Sequence, residues 1–493
     1  MSKSTQSLLI TCALLFTLIL SPGCGARRTP DLGRIFAGVR ERKGKRPVIV
    51  IPGVLGSNIV NRRTGEVVWP SVFRSDVDGL SLPTTPDLAA NRDELVASRI
   101  VEAARLAKIA PEVYVYHHLL RALEDYGGYR EGDWANPPEG GDRDTFYVFA
   151  YDWRRDNVES ARLLVKHVEA LKLKLGRPDL RFNIVAHSMG GLVARYAAMY
   201  GDRDLPPEGA QPEPDWPGAN FVGKIFMFGT PNAGSAEAFA VLLEGYSVTE
   251  GLRRRVHLLN KLSREDVMTA PSIFQLLPHG GQARFLDASL RPVTVDLYDP
   301  ETWRRYGWSA ANDPKFREAY ARGAPRGLEA PTGRGTLEEL DAYLAAVLLR
   351  ARRFHEALDA RGGAQTEGSD PPVKLFAFGG DCEETLAAPV ILRDEKAGRW
   401  LTLTRPKSLR GDDGRKLARS EVVRAMYAPG DGRVTRDSLM GVGLGGGVRR
   451  SGLYETPLPI AYAAFACDLH SDLQNNKTLQ DNALTLLVNE LTN

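Results

Sequence analysis

The sequence has little of what marks several common classes of protein. It holds four cysteines among 493 residues, and its cysteines and histidines do not stand at the spacing of a zinc site. Its formal net charge is only +3, and the basic residues are scattered, so nothing indicates binding to nucleic acid. Internal repeats are absent, and no apolar run reaches the roughly 18 residues of a membrane-spanning helix. The remaining composition, 43% apolar and 25% charged, is that of a globular protein with a substantial core.

The first residues have the pattern of an export signal. Lys3 precedes the uncharged run Leu8–Leu20, and Ser21-Pro-Gly-Cys24 follows. We predict a lipoprotein-type signal peptide over residues 1–23, a lipidated Cys24, and a polar tether over residues 24–46. Leu20 stands one position too far from Cys24 for an ideal lipoprotein site, so a plain cleaved signal and an uncleaved anchor stay open. The expected location is the periplasmic or cell-surface side of a bacterial membrane.

The cysteines beyond the signal leave two alternatives. If Cys24 is lipidated, Cys382 and Cys467 remain in an oxidising compartment. A Cys382–Cys467 disulfide and two buried free thiols are both consistent with that count.

Strands and helices alternate along most of the chain, which predicts an α/β fold with a mostly parallel, doubly wound sheet. Two long stretches interrupt the alternation, at about 58–144 and 236–370, and we interpret them as insertions. The predicted helices include 113–125, 160–175, 337–358 and 482–491. The predicted strands are residues 47–51, 145–150, 181–186, 222–229, 372–378 and 458–466.

One strand turns into a helix at a serine. The apolar run that ends at Ala186 is followed by His187, Ser188, Met189 and two glycines. Ala186 and Gly190 stand two residues before and two after Ser188, which is the spacing of the nucleophile elbow of α/β-hydrolases. Ser188 is therefore the predicted nucleophile, and an ordinary strand–turn–helix that happens to contain serine is the alternative.

A nucleophilic serine needs a base and an orienting carboxylate, in the chain order Ser, Asp or Glu, His. His470 follows the last predicted strand and is the only histidine in the last hundred residues. Asp431, between two glycines, is the favoured carboxylate, whereas Asp437, Asp468 and Asp472 are weaker rivals. His187 adjoins the nucleophile in sequence but should point away from it, so we reject it as the base.

Six motifs occur in one order and together resemble the lecithin–cholesterol acyltransferase family, which includes lysosomal phospholipase and phospholipid:diacylglycerol acyltransferases. The resemblance spans about residues 47–490. The motifs are Pro52-Gly-Val-Leu-Gly-Ser57, Tyr151-Asp-Trp-Arg154, Ala186-His-Ser-Met-Gly190, Pro271-Ser-Ile-Phe-Gln-Leu-Leu-Pro278, Gly430-Asp-Gly-Arg-Val434 and His470-Ser-Asp-Leu473.

The resemblance implies roles for particular residues. Ser188, Asp431 and His470 match the family's catalytic triad, and the backbone N–H groups of Val54 and Met189 match its oxyanion hole. The insertion at 58–144, with Trp69, resembles the family's membrane-binding segment, and 236–280 resembles its lid. The domain implied runs from residue 47 to residue 493.

Two departures leave transferase and hydrolase both open. Arg433 stands where the family usually has threonine, and Thr230-Pro-Asn-Ala-Gly-Ser235 is more like ordinary bacterial lipases.

The predicted function is that of a serine-dependent acyl hydrolase or O-acyltransferase acting on lipid esters, either phospholipid or acylglycerol. The expected partner is a lipid substrate at a membrane or lipoprotein-like interface, with no metal, organic cofactor or nucleic acid. The alternatives are a carboxylesterase for soluble esters and a non-catalytic lipid-binding lipoprotein. The oligomeric state is not indicated.

Overall fold

Seven parallel strands form the central sheet of the computed structural model. The model describes residues 29–70, 79–105, 112–247, 261–322, 336–361, 372–445, 449–451 and 454–489. The strands lie in the order β7-β6-β5-β4-β1-β3-β2, and every neighbouring pair is parallel. Their bounds are β1 Val48–Ile51, β2 Arg130–Gly132, β3 Thr145–Val148, β4 Phe182–His187, β5 Val222–Phe228, β6 Lys374–Gly380 and β7 Ile460–Ala466.

Helices cover both faces of this sheet. The longer ones are α1 His117–Asp125, α2 Asn157–Leu175, α3 Met189–Tyr200, α4 Ala236–Glu244, α5 Leu337–Asp359 and α6 Lys477–Val488. Ile49 and Ile51 of β1 pack in one apolar cluster with α2, α3 and α5. Val48 and Val50, on the opposite face, pack with α1 and α6. Because both faces are buried, the strand is apolar without alternation, and the predicted doubly wound α/β fold is confirmed.

Shorter elements occupy the two interruptions and the connections. The further helices are Leu32–Ile35, Arg264–Val267, Pro271–Phe274, Pro300–Tyr306, Pro314–Ala321, Arg419–Met426 and Arg436–Leu439, and the 3-10 turns are Pro217–Asn220, Gly280–Gln282, Ala310–Asn312 and Leu473–Asn475. The further strands form small separate sheets of two to four strands: Val67–Trp69, Ser57–Asn61 and Leu95–Ile100; Ala103–Arg105 with Glu112–Tyr114; Tyr246–Ser247 with Lys261–Leu262; Pro292–Val293, Phe285–Leu286, Val390–Asp394 and Arg399–Leu403; Glu383–Leu386 with Tyr427–Gly430; Leu409–Arg410 with Lys416–Leu417; and Arg449–Ser451 with Tyr454–Thr456.

Two differences from the sequence-based prediction concern the central sheet and the tether. Strand β2 lies inside the stretch predicted as the first insertion, yet it forms the edge of the central sheet beside β3. Its three residues, Arg-Glu-Gly, carry no apolar periodicity that would have revealed it. The other difference is the predicted tether, since Leu32 and Phe36 are buried in the cluster that contains α1. The described part of the predicted tether is therefore packed on the domain.

The motif Tyr151–Arg154 fastens the first insertion to the sheet. Arg154 is 1% exposed, and its guanidinium donates to both carboxylate oxygens of Asp93, at 2.6 and 3.0 Å, and to the carbonyl of Leu80 at 3.1 Å. It also pairs with Asp152. A buried guanidinium needs such partners, because an uncompensated charge away from water is strongly destabilising.

Residues 1–28, which include the predicted signal peptide and Cys24, lie outside the described residues. Among the helices that the structure does describe, none has the length and apolarity needed to cross a bilayer.

Candidate active site

Ser188 lies at the corner between β4 and α3 with a strained backbone. Its φ is 53° and its ψ −127°, values that a residue with a side chain rarely adopts. The two residues after Met189 are glycines because neighbouring chain segments approach closely. A Cβ on Gly190 would lie 2.5 Å from the carbonyl oxygen of Pro52, and one on Gly191 would lie 2.0 Å from Thr230 Oγ1. The small residues of the elbow are thus required by packing.

His470 connects Ser188 to Asp431. Its Nε2 lies 2.9 Å from Ser188 Oγ, and its Nδ1 lies 2.8 Å from Asp431 Oδ2. The backbone N–H of His470 also donates to the carbonyl of Asp431 at 2.8 Å. The structure therefore brings together the three side chains that the sequence analysis selected, from turns after three strands of the chain.

Asp431 is held by its own turn. It is 2% exposed, and its Oδ1 accepts hydrogen bonds from the N–H groups of Arg433 at 2.9 Å and Val434 at 2.7 Å. One carboxylate oxygen is thus occupied by the backbone, which leaves the other for His470.

The rival carboxylates have other partners. Asp468 accepts from the side-chain amide of Asn476 at 2.9 Å, and Asp472 accepts from the Ser471 hydroxyl at 3.0 Å. Asp437 lies beside Arg436, with 3.6 Å between the charged atoms.

The turn at Pro52–Ser57 lies directly against the serine. A Cβ on Gly53 would be 2.7 Å from Ser188 Cβ. Among the described residues, none accepts a hydrogen bond from the backbone N–H of Val54 or of Met189. Both groups are therefore available to a ligand at the serine, as an oxyanion hole requires. Leu55, after Val54, has a φ of 63° that bends the turn.

His187 points away from Ser188, as expected. Its Nδ1 lies 2.8 Å from the Tyr116 hydroxyl, and its Nε2 lies 2.9 Å from the carbonyl oxygen of His470. Burial, together with the neighbouring His470 imidazole, lowers the pKa of His187 to about 3. This imidazole is therefore neutral at physiological pH.

Trp69 does not present apolar surface to a lipid interface, which corrects the expectation for this residue. It is 4% exposed, its ring lies 6.1 Å from that of Trp153, and its indole N–H donates to the carbonyl of Leu55 at 2.9 Å. Its side chain is buried because it packs between Trp153 and the turn that carries Val54 and Leu55. Residues 71–78, which follow it, lie outside the described residues.

The described part of the predicted lid is packed into the domain. Phe239 and Leu242 of α4 are fully buried. Gln275, in the motif 271–278, accepts a hydrogen bond from the N–H of Asn157 at 2.8 Å. Arg433, at one of the departures from the family, lies 3.5 Å from Glu237 of α4 and so joins the Asp431 turn to the lid. Residues 248–260 of the predicted lid lie outside the described residues.

Cys382 and Cys467 form a disulfide, with 5.2 Å between their Cα atoms. Cys467 directly follows β7 and stands three residues before His470. Cys382 precedes the strand Glu383–Leu386, whose first residue pairs with Gly430 beside Asp431. The disulfide therefore links the turn that carries His470 to a strand that pairs with the residues before Asp431.

The solved structures that this chain is similar to are distant in sequence. A chain of the Tle4–Tli4 complex is 16% identical, with 90% of this chain and 98% of that chain covered and a TM-score of 0.49. The Bacillus licheniformis lipase BlEst2 in its mature form is 10% identical, with 90% of this chain and 92% of that chain covered and a TM-score of 0.31. EstA from Clostridium botulinum is 12% identical, with 91% of this chain and 89% of that chain covered and a TM-score of 0.33.

The comparison of sequences finds a similarity to a family in one part of the chain. A search of curated proteins finds no match. The model of the family described as lecithin:cholesterol acyltransferase matches residues 100–307, a segment that includes Ser188 and the motif at 271–278. This match supports a lipid-ester hydrolase or acyltransferase. The resemblance drawn from the motifs is confirmed over residues 100–307, the segment of this chain that is similar to the lecithin:cholesterol acyltransferase family.

Proposed function

We propose that this protein is a serine-dependent acyl hydrolase or O-acyltransferase that acts on lipid esters, phospholipid or acylglycerol, through an acyl-serine intermediate. The observation that carries the proposal is the position of His470 between Ser188 and Asp431, at 2.9 and 2.8 Å. A serine hydroxyl becomes a nucleophile only when an oriented base takes its proton, and these contacts supply both base and orientation.

The first half-reaction forms the acyl-serine. With Asp431 accepting from His470 Nδ1–H, the Nε2 lone pair faces Ser188 Oγ and removes its proton. Oγ bonds to the ester carbonyl carbon, and the carbonyl electrons move onto oxygen. The N–H groups of Val54 and Met189 donate to that oxyanion. The partial positive charge at the start of α3, which begins at Met189, stabilises it further. When the C–O bond to the alcohol breaks, His470 returns its proton to the departing oxygen.

The second half-reaction distinguishes a hydrolase from a transferase. Water or a lipid alcohol gives a proton to His470 and attacks the acyl carbon. The bond from that carbon to Ser188 Oγ breaks, and His470 returns the proton to Oγ. Ser188 is only 8% exposed, so the acyl-serine would be sheltered from bulk water. That shelter favours transfer only if an alcohol acceptor reaches the site before water does.

The experiment that tests the proposal is product analysis with a phospholipid labelled in one acyl chain and presented in vesicles. We expect labelled fatty acid without an acceptor, and labelled ester in addition when a long-chain alcohol is present if the protein is a transferase. A fluorophosphonate probe, which labels activated serines, is applied to the same preparation. Cleavage of short soluble esters alone would favour a carboxylesterase, and an absence of both labelling and product would favour a lipid-binding protein.

We also propose that the chain is exported and anchored through a lipid on Cys24. The support is the sequence pattern of residues 3–24. Several acyl chains would hold the protein firmly, since each buried CH₂ contributes about 0.8 kcal/mol. Full-length protein should partition into the detergent phase, and Cys24→Ser should release it or block its processing. An unmodified mature N-terminus in an intact-mass measurement would contradict the anchor.

A further inference from the structure

A buried chain of hydrogen bonds joins the turn beside Ser188 to the backbone of His470. Gly53 N–H donates to the Tyr116 hydroxyl at 2.9 Å, that hydroxyl lies 2.8 Å from His187 Nδ1, and His187 Nε2 lies 2.9 Å from the His470 carbonyl oxygen. We infer that Tyr116 and His187 are positioning residues that hold the oxyanion-side turn and the catalytic base in register with each other. The inference rests on the proposed function.

The direction of every hydrogen bond in this chain is fixed from its two ends. A backbone N–H only donates, so the Tyr116 oxygen accepts from Gly53, and its single proton is directed to His187 Nδ1. A carbonyl oxygen only accepts, so the proton of His187 sits on Nε2 and is donated to His470. One neutral tautomer of His187 satisfies both ends.

Burial keeps this arrangement neutral. Tyr116 is 1% exposed and His187 is 7% exposed. Burial raises the pKa of Tyr116 far above its ordinary value and lowers that of His187 to about 3. The His187 and His470 rings are 4.9 Å apart, so a charged His187 would oppose the positive charge that His470 gains during the reaction.

The two ends of this hydrogen-bond chain are the Gly53 N–H and the His470 carbonyl, which belong to segments that catalysis needs in fixed places. Gly53 directly precedes Val54, whose N–H is assigned to the oxyanion hole. The carbonyl of His470 is fixed by His187, while its N–H is fixed by Asp431. The backbone of the base is thus held on both sides. Tyr116 stands at the start of α1, so the first insertion supplies a part of the active-site support.

The main test replaces Tyr116 by phenylalanine, which removes only the hydroxyl. Turnover of a short soluble ester is measured per active site, counted by fluorophosphonate titration, so that loss of folded protein does not enter the rate. We expect kcat to fall about 10- to 100-fold with KM changed by less than about twofold, because the reacting groups are displaced and substrate contacts are kept. Tyr147→Phe is the matched control, since its buried hydroxyl donates to the Gly141 carbonyl in the loop before β3.

Two replacements of His187 distinguish its hydrogen bond to the His470 carbonyl from its hydrogen bond with the Tyr116 hydroxyl. A glutamine amide reaches about as far as Nε2 and retains a donor for His470, whereas an asparagine amide reaches only about as far as Nδ1. We expect His187→Gln to retain a kcat on the order of tenfold above that of His187→Asn. In the double variant Tyr116→Phe with His187→Asn, the fold-loss of kcat should be much smaller than the product of the two single fold-losses, because both residues act through the same hydrogen-bond chain.

The results decide between a positioning role and a structural one. Wild-type kcat per active site in Tyr116→Phe, or a loss equal to that of Tyr147→Phe, would overturn the inference. If Tyr116→Phe does not fold, equal kcat values for His187→Gln and His187→Asn would overturn it instead. A wild-type protein that neither binds the probe nor cleaves esters would overturn the proposed function and this inference together.

Discussion

Ser188→Ala is expected to lower ester turnover on the order of 10⁶-fold and to abolish labelling by a fluorophosphonate. The magnitude follows because a serine, its base and its orienting carboxylate act as a unit, and removing the nucleophile leaves nothing for His470 to activate. The fold should persist, since alanine lacks only the hydroxyl and meets the same backbone strain at a φ of 53°. Initial rates with a short soluble ester and thermal unfolding of both proteins check the two parts of this prediction.

Ser471→Ala is a matched control for that variant. Ser471 directly follows His470, is exposed, and donates its hydroxyl to Asp472. Its loss should leave turnover within about twofold, as for most exposed substitutions without a special contact. Turnover that persists in folded Ser188→Ala would exclude the acyl-serine mechanism.

Asp431→Asn is expected to reduce turnover by about 10⁴-fold. The variant should still fold, and the fluorophosphonate should still label it, more slowly than the wild type. Because Oδ1 accepts from the N–H groups of Arg433 and Val434, the asparagine oxygen will remain on that side. Its NH₂ group then faces His470 Nδ1, which must accept a hydrogen bond. The imidazole proton moves to Nε2, toward Ser188, and His470 no longer serves as the base.

Asp468→Asn is the control for the carboxylate. Asp468 lies two residues before His470 in sequence, but it accepts hydrogen bonds from Asn476 and Leu469 and not from His470. Its replacement should change turnover by less than about tenfold. A larger loss in Asp468→Asn than in Asp431→Asn would show that the wrong carboxylate has been assigned.

The sequence by itself predicted the doubly wound architecture and selected the three side chains that meet at Ser188. Strands such as Val48–Ile51 are apolar without interruption, and burial on both faces is the physical cause of that pattern. The elbow is also local, because Ala186, Ser188 and Gly190 lie within a single turn whose tight packing dictates small side chains. His470 and Asp431 were found by chain order and by the turns after predicted strands.

Only the tertiary structure decided how side chains from distant parts of the chain meet. Tyr116 and His187 are 71 residues apart in the sequence, and no local pattern reveals that one hydroxyl serves both His187 and Gly53. The sequence analysis placed Trp69 in a segment that resembles a membrane-binding one, yet its ring packs beside Trp153 and its N–H donates to the Leu55 carbonyl. Periodicity and turn chemistry depend on neighbouring residues and are visible in a sequence. Burial and hydrogen-bond partners depend on which elements pack together, so they appear only once the chain has folded.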